Sequence, residues 1–140
     1  MKSFDKKSVT LNAAQEMIGA AIAKANELGM GIAVTIVDES GNLKAFARMD
    51  NAPLIAVDAS RKKALTAVGM GLPSGEAWYN FIKDDPILTA GVHNFEDFIL
   101  LGGGIPINLQ SEMIGAIGIS GGHYRQDEIC ALAALEIFNK

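Results

Sequence analysis

The residues best able to do chemistry sit in two glycine clusters. Gly118-Ile119-Ser120-Gly121-Gly122 reads G-x-S-x-G and lies between an apolar, β-branched run and an amphipathic stretch. That pattern in that context is the nucleophile elbow of a hydrolase, which also needs a distant Asp and His after the serine. Only 20 residues follow Ser120, and His123 lies too close in sequence to swing over it. The hydrolase reading therefore lacks its partners. The plainer reading is a strand end that needs positive φ and tight helix packing. A second functional reading remains open. A Gly121-Gly122 turn that opens a helix exposes backbone N–H groups where the helix dipole is positive, which suits a carboxylate or phosphate.

Gly102-Gly103-Gly104 stands before Ile105-Pro106. Three glycines weaken a strand unless a ligand or another backbone presses close, or unless they form a bulge at an edge. Arg48, at the end of a predicted strand, can clamp a carboxylate through its planar fork or pair with Asp50 or Asp38. Lys63 reads the same way, as an anion contact or as a solvated lysine of the Arg61-Lys62-Lys63 run. His93 and His123 are too far apart for a helical metal pair, and no cysteine joins them. A single axial haem ligand can come from His93, His123, Tyr124 or a methionine, each of which also has a structural reading. No Walker loop is present, because Glu76 follows Gly75 where a lysine is required.

These residues need elements to hold them. Apolar steps at Leu11, Ala14, Ile18, Ala21, Ala25 and Leu28 predict a helix over Thr10–Leu28, capped by Thr10 or Asn12 and closed by Gly29. Ile32–Val37 and Leu43–Met49 flank a turn cluster and predict a hairpin, with Leu43, Ala45, Ala47 and Met49 on one face. Leu54–Val68 reads as a helix burying Ile55, Ala59, Leu65 and Val68. Short helices are expected within Ser74–Lys83 and Pro86–Ala90. Strands are expected at Phe98–Leu101, Ile105–Leu109 and Met113–Ile119, and a closing helix over Arg125–Phe138 with Cys130 buried in it. The order predicts an α+β domain over residues 1–140, with a five-stranded, mostly antiparallel sheet and helices packed on it.

Composition narrows the class. A chain of 140 residues makes one domain and buries roughly 68% of its unfolded surface. A net charge of −4 argues against a nucleic-acid partner, which needs a clustered basic face. Cys130 is the only cysteine, so no internal disulfide forms, as suits a reducing compartment. The N-terminus lacks the apolar run of a secretory signal, and no stretch approaches the roughly 20 apolar residues of a membrane span. A cytoplasmic location without membrane attachment is expected.

In combination the sequence resembles the GlcG/HbpS family, which includes the C-terminal domain of PduO-type corrinoid adenosyltransferases. The resemblance rests on Val34-Thr35-Ile36-Val37-Asp38 with Gly41 and Leu43, on Arg48-Met49-Asp50-Asn51-Ala52, and on Ser60 through Ala67. It continues through Gly102–Pro106, Met113–Gly122 and Gln126-Asp127-Glu128, nearly the whole chain in order. It implies a profilin-like sandwich, a homo-oligomer of two or more copies, and haem or another tetrapyrrole as ligand. A PduO-type domain carries its axial histidine on the first helix, where Thr10–Leu28 has none. Haem would then use another ligand or lie on the surface, its propionates against Arg48, Lys63 or a glycine turn. The ligand-binding set expected on these grounds is Arg48, Lys63, Gly102, Gly103, Gly104, Ser120, Gly121, Gly122 and His123. Three functions stay in view. One is a binder of haem, another tetrapyrrole or an anionic metabolite. Another is a small enzyme acting on a carboxylate or carbonyl with Asp38, Arg48, Lys63 or His123 as acid–base groups. The third is a structural accessory subunit of a metabolic operon.

Overall fold

The computed structural model describes residues 1–139. Helix α1 covers Leu11–Glu27 and starts where expected, because the Thr10 side chain accepts from the Ala13 N–H at 3.1 Å. Strands β1 (Ala33–Asp38) and β2 (Leu43–Arg48) form the predicted hairpin. Asp38 builds its turn by accepting from the amides of Ser40 and Asn42, and Gly41 supplies the left-handed φ of 82°. Helix α2 (Ile55–Met70) is followed by two short helices, α3 (Glu76–Ile82) and α4 (Pro86–Gly91). Strands β3 (Gly104–Leu109) and β4 (Glu112–Ser120) and helix α5 (Tyr124–Leu135) follow, and the closing helix expected to reach Phe138 tightens instead into a 3-10 helix over Glu136–Asn139. No helix among the described residues is long and apolar enough to cross a membrane.

The sheet has four strands in the order β2-β1-β4-β3, each pair antiparallel. The expected fifth strand at Phe98–Leu101 is absent. That segment is held by a helix instead of a sheet edge: Thr66 Oγ1 donates to the Asp97 carbonyl and accepts from the Ile99 N–H, at 3.2 and 3.0 Å. Phe98 meanwhile stacks edge-on against Trp78, 5.1 Å between centroids.

The two faces of the sheet are covered differently. Val34, Ile36, Ile117 and Ile119 pack under α1 and α5 with Met17, Ile107 and Cys130 in the main core. On α1 the buried stripe is Ala14, Met17, Ala21 and Ala25, while the terminal Leu11 and Leu28 are exposed. The opposite face meets α2 through small residues: Val37 and Ala116 against Ala64 and Ala67. This corrects the helix face expected for α2. Its buried residues are Ala56, Ala59, Ser60, Lys63, Ala64, Thr66 and Ala67, whereas Ile55 is 73% exposed and Leu65 and Val68 are half-buried. The cause is distance. A side chain at Gly118 would strike the Ser60 carbonyl and one at Gly104 the Lys63 carbonyl, so only small residues fit where the helix lies on the strands. A register shift between Ile36 and Val37 also moves Leu43 off the face shared by Ala45, leaving it 66% exposed.

Candidate functional site

The glycines do two distinct jobs. Gly103 (φ 122°) and Gly104 open onto the protein's own atoms: a Cβ on Gly103 would meet the Ile119 carbonyl and, at 3.1 Å each, Asp127 Cβ and Lys63 Nζ. Gly104 is fastened by Ser74, whose Oγ accepts from its N–H at 2.8 Å. Gly121 lies against the Gly31 backbone and lacks positive φ, so close packing and not handedness requires glycine there; at Gly122, also without positive φ, a Cβ would meet only the flexible ends of Met30 and Gln126.

Beneath Gly103 lies a buried ion pair. Lys63 from α2 donates to Asp127 Oδ2 at 2.8 Å and to the Ile119 carbonyl at 2.9 Å, with the two side chains 2% and 1% exposed. Neither reading of Lys63 made from the sequence, a solvated lysine or an anion contact, survives this geometry, since it has an internal partner and no path to solvent. The other Asp127 oxygen accepts from the Gly122 N–H at 3.1 Å. The anion expected at the Gly121-Gly122 turn is therefore supplied by the chain itself. Burial raises the Asp127 carboxyl above its ordinary value, and Lys63 and the Gly122 amide oppose that rise.

Other amides at the start of α5 are likewise engaged. His123 Nδ1 accepts from the Arg125 N–H at 3.1 Å, and Gln126 Oε1 accepts from the His123 N–H at 3.4 Å, which caps the helix. An Nδ1 that accepts places the imidazole proton on Nε2, so in this arrangement neither nitrogen of His123 has a free lone pair for a metal. Ser120 is buried at the end of β4. Arg48 is exposed and makes no ion pair among the described residues, so neither Asp50 nor Asp38 holds it. It ends β2, one edge of the sheet, while Gly102-Gly103-Gly104 leads into β3, the other edge. The structure thus separates Arg48 from the triplet.

Gly102 and the start of α5 do come together, around a cleft of about 450 Å³. Gly75, Glu76 and Tyr79 form one wall, Leu100, Leu101 and Gly102 another, and Tyr124, Arg125 and Glu128 a third. The size lies within the range of small-molecule sites, and the lining mixes apolar and aromatic surface with a few polar groups. His123 stacks on Tyr124 at 4.3 Å between centroids, and the Arg125 guanidinium lies 5.6 Å from the same ring. Tyr124 was named in the sequence only as one of several possible axial haem ligands, and Tyr79, Arg125 and Glu128 were not singled out as site residues, because no spacing links the helix after Gly75 to the start of α5. The one available signal was the short helix after Gly75 facing the glycine triplet.

The chain is an α+β domain with a four-stranded antiparallel sheet, helices on both faces and a mixed-polarity cleft beside Gly102. Residues 9–136 match the family model described as haem-degrading protein HbpS-like, and the chain belongs to that family. An uncharacterized 15.0 kDa protein from the dhaT–dhaS intergenic region of Citrobacter freundii is 33% identical over 99% of this chain and 98% of its own length. The crystal structure of Klebsiella pneumoniae ORFY superposes with a TM-score of 0.90 at 32% identity, covering 99% of this chain and 96% of that one. A PduOC–haem complex superposes with a TM-score of 0.82 at 26% identity, covering 94% and 96%.

Proposed function

We propose that this chain binds haem or another tetrapyrrole in the cleft beside Gly102, and that it does so as a homo-oligomer. The observation that carries the reading is the cleft itself. Leu100, Leu101, Tyr79 and Tyr124 offer apolar and aromatic surface for a flat ring, and Arg125 offers a cation for a propionate. Family membership and the haem bound by PduOC support it.

The residues fit the ring better than they fit an axial histidine. His123 caps α5 in a tautomer unsuited to ligation, whereas the phenols of Tyr79 and Tyr124 line the cleft and a tyrosine can hold haem iron. Bound haem would supply redox chemistry at its iron, and this chain's part would be to orient the ring and limit water around it. Of the acid–base residues of the enzyme alternative, Lys63 is sealed in its ion pair and Arg48 lies on the far edge strand, so geometry favours binding over proton transfer.

A hemin titration followed by absorbance tests the reading. A stoichiometric Soret shift is expected, retained in His123→Ala and lost or broadened in Tyr124→Ala. No change beyond that given by an unrelated acidic protein would remove haem as the ligand. Self-association follows from the sheet: α2 packs across β4, β1 and β3, while on β2 Phe46 remains 41% exposed beside the exposed Leu43. Sedimentation equilibrium at micromolar concentration should give at least twice the mass of one chain. A monomer mass would refute the assembly.

A further inference from the structure

The floor of the cleft carries a carboxylate that a haem ring does not satisfy. Glu128 extends from α5 across the backbone of Gly102, where any Cβ would collide with its Oε1, and a Cβ on Gly75 would come within 3.4 Å of the same oxygen. Gly102 thus leaves the room in which this carboxylate lies, and Gly75 lets the Gly102 backbone come close beside it. It receives no hydrogen bond and no ion pair from any described residue, although Arg125 stands three residues before it; the Arg125 guanidinium lies near the Tyr124 ring instead. Glu76 adds a second carboxylate to the same lining. A carboxylate accepts and cannot donate. A ligand complementary to this floor must therefore bring N–H or O–H groups to it, and an unmet acceptor pair next to aromatic surface disfavours a ligand that brings none.

We propose that the cleft selects an open-chain tetrapyrrole over haem, with Glu128 as the acceptor of its pyrrole N–H groups; this rests on the tetrapyrrole reading above. Haem has no N–H, because its four nitrogens bind iron. A planar metal-free ring keeps its N–H groups in its own plane. A linear tetrapyrrole coils so that its N–H groups converge on one point, where a single carboxylate oxygen can accept more than one of them. All three carry the same propionates and similar apolar rims, so Arg125, Leu100 and Leu101 discriminate little among them. Discrimination falls to Glu128.

The test is a parallel titration of the full chain with biliverdin, hemin and metal-free protoporphyrin IX, read by absorbance and by quenching of the single tryptophan, Trp78, which packs behind the cleft residue Leu100. Biliverdin should bind about tenfold more tightly than hemin or protoporphyrin, as expected of hydrogen bonds to a charged group. Glu128→Gln should remove most of that margin and leave hemin affinity within about twofold. Glu128→Asp, which keeps the charge but withdraws it from Gly102, should fall between the two and guards against a folding defect in the first variant. Hemin binding as tightly as biliverdin, or a Glu128→Gln effect equal on all three ligands, would overturn the assignment of Glu128 while leaving tetrapyrrole binding intact. Failure of all three to bind would overturn the tetrapyrrole reading itself, and with it this one.

Discussion

The sheet's two faces solve the same burial problem with opposite materials. Under α1 and α5 the interface is made of large aliphatic groups, Met17, Ile36, Ile117 and Ile119, and it holds by area removed from water. Under α2 the interface is made of alanines, glycines and matched polar pairs. Thr35 and Ser60 share a hydrogen bond of 2.9 Å there, and Lys63 reaches past the helix to Asp127. On the first face a lost methyl group leaves a small cavity at modest cost. The second places backbone against backbone, so it tolerates little addition and no loss of one charged partner. The difference also explains two of the glycines: Gly104 and Gly118 admit the backbone of α2, whereas beside the cleft Gly75 admits the backbone of Gly102, and Gly102 leaves room for Glu128.

The sharpest way to break this comparison is to remove one member of the ion pair. Lys63→Ala leaves Asp127 buried without its cation, a change that costs about 3–5 kcal/mol in such sites. Urea unfolding should show that loss in the midpoint with little change in slope. Replacing both partners, Lys63→Met with Asp127→Leu, should recover much of it, because the desolvation of two charges disappears with their attraction. A Lys63→Ala protein as stable as the parent would mean that the pair contributes nothing to the α2 interface.

A matched pair of substitutions on adjacent positions of β4 compares the faces directly. Gly118→Ala adds one carbon under α2 and must push the helix away from the Ser60 carbonyl and the Ala64 amide, for about 1–3 kcal/mol or more. Ile117→Val removes one carbon under α1 and α5, for about 0.5–1.5 kcal/mol. Thermal unfolding of both should place the glycine variant lower. The reverse order would mean that α2 can retreat from the sheet, contrary to the close packing described.

How far the sequence revealed this depends on the range of each interaction. The Thr10 cap, the Asp38–Gly41 turn and the two hairpins are local and were legible from neighbouring residues. The buried face of α2 was misjudged because apolarity pointed to Ile55, Leu65 and Val68, whereas proximity to glycine strands selects for size. Lys63 was read as part of a basic run because its partner is 64 residues away. The apolar Phe98–Leu101 carries a strand's composition, and the hydroxyl of Thr66 and the ring of Trp78, both on helices earlier in the chain, hold it away from the sheet. Arg48 and the glycine triplet were grouped by chemistry alone, and the strand order places them on opposite edges.

The smallest expected effect lies outside both faces, where the N-terminal arm is tied to the strand turns. Lys6 pairs with Glu39 at 3.2 Å and donates to Ser40, while Lys7 donates from its backbone to Glu112 and from its side chain to Gln110. A hydrogen bond from Ser8, with further ones from Ser40 and Lys6, lowers the Glu39 carboxyl from its ordinary 4.5 to about 2. A carboxyl whose folded value is depressed binds protons more readily when released. Its contribution is therefore complete above pH 4.5 and is lost as pH falls toward about 2. For an ion pair at the surface that contribution is roughly 0–1 kcal/mol. The protection of the amides at residues 5–9, relative to their intrinsic exchange rates, should fall over this interval while the β1 and β4 amides stay protected, and Glu39→Gln should remove the pH dependence without changing the global stability at neutral pH by more than about 1 kcal/mol. Simultaneous loss of protection in the arm and in the sheet would show that the arm is part of the cooperative core, and that the contrast between the two faces omits a third structural support.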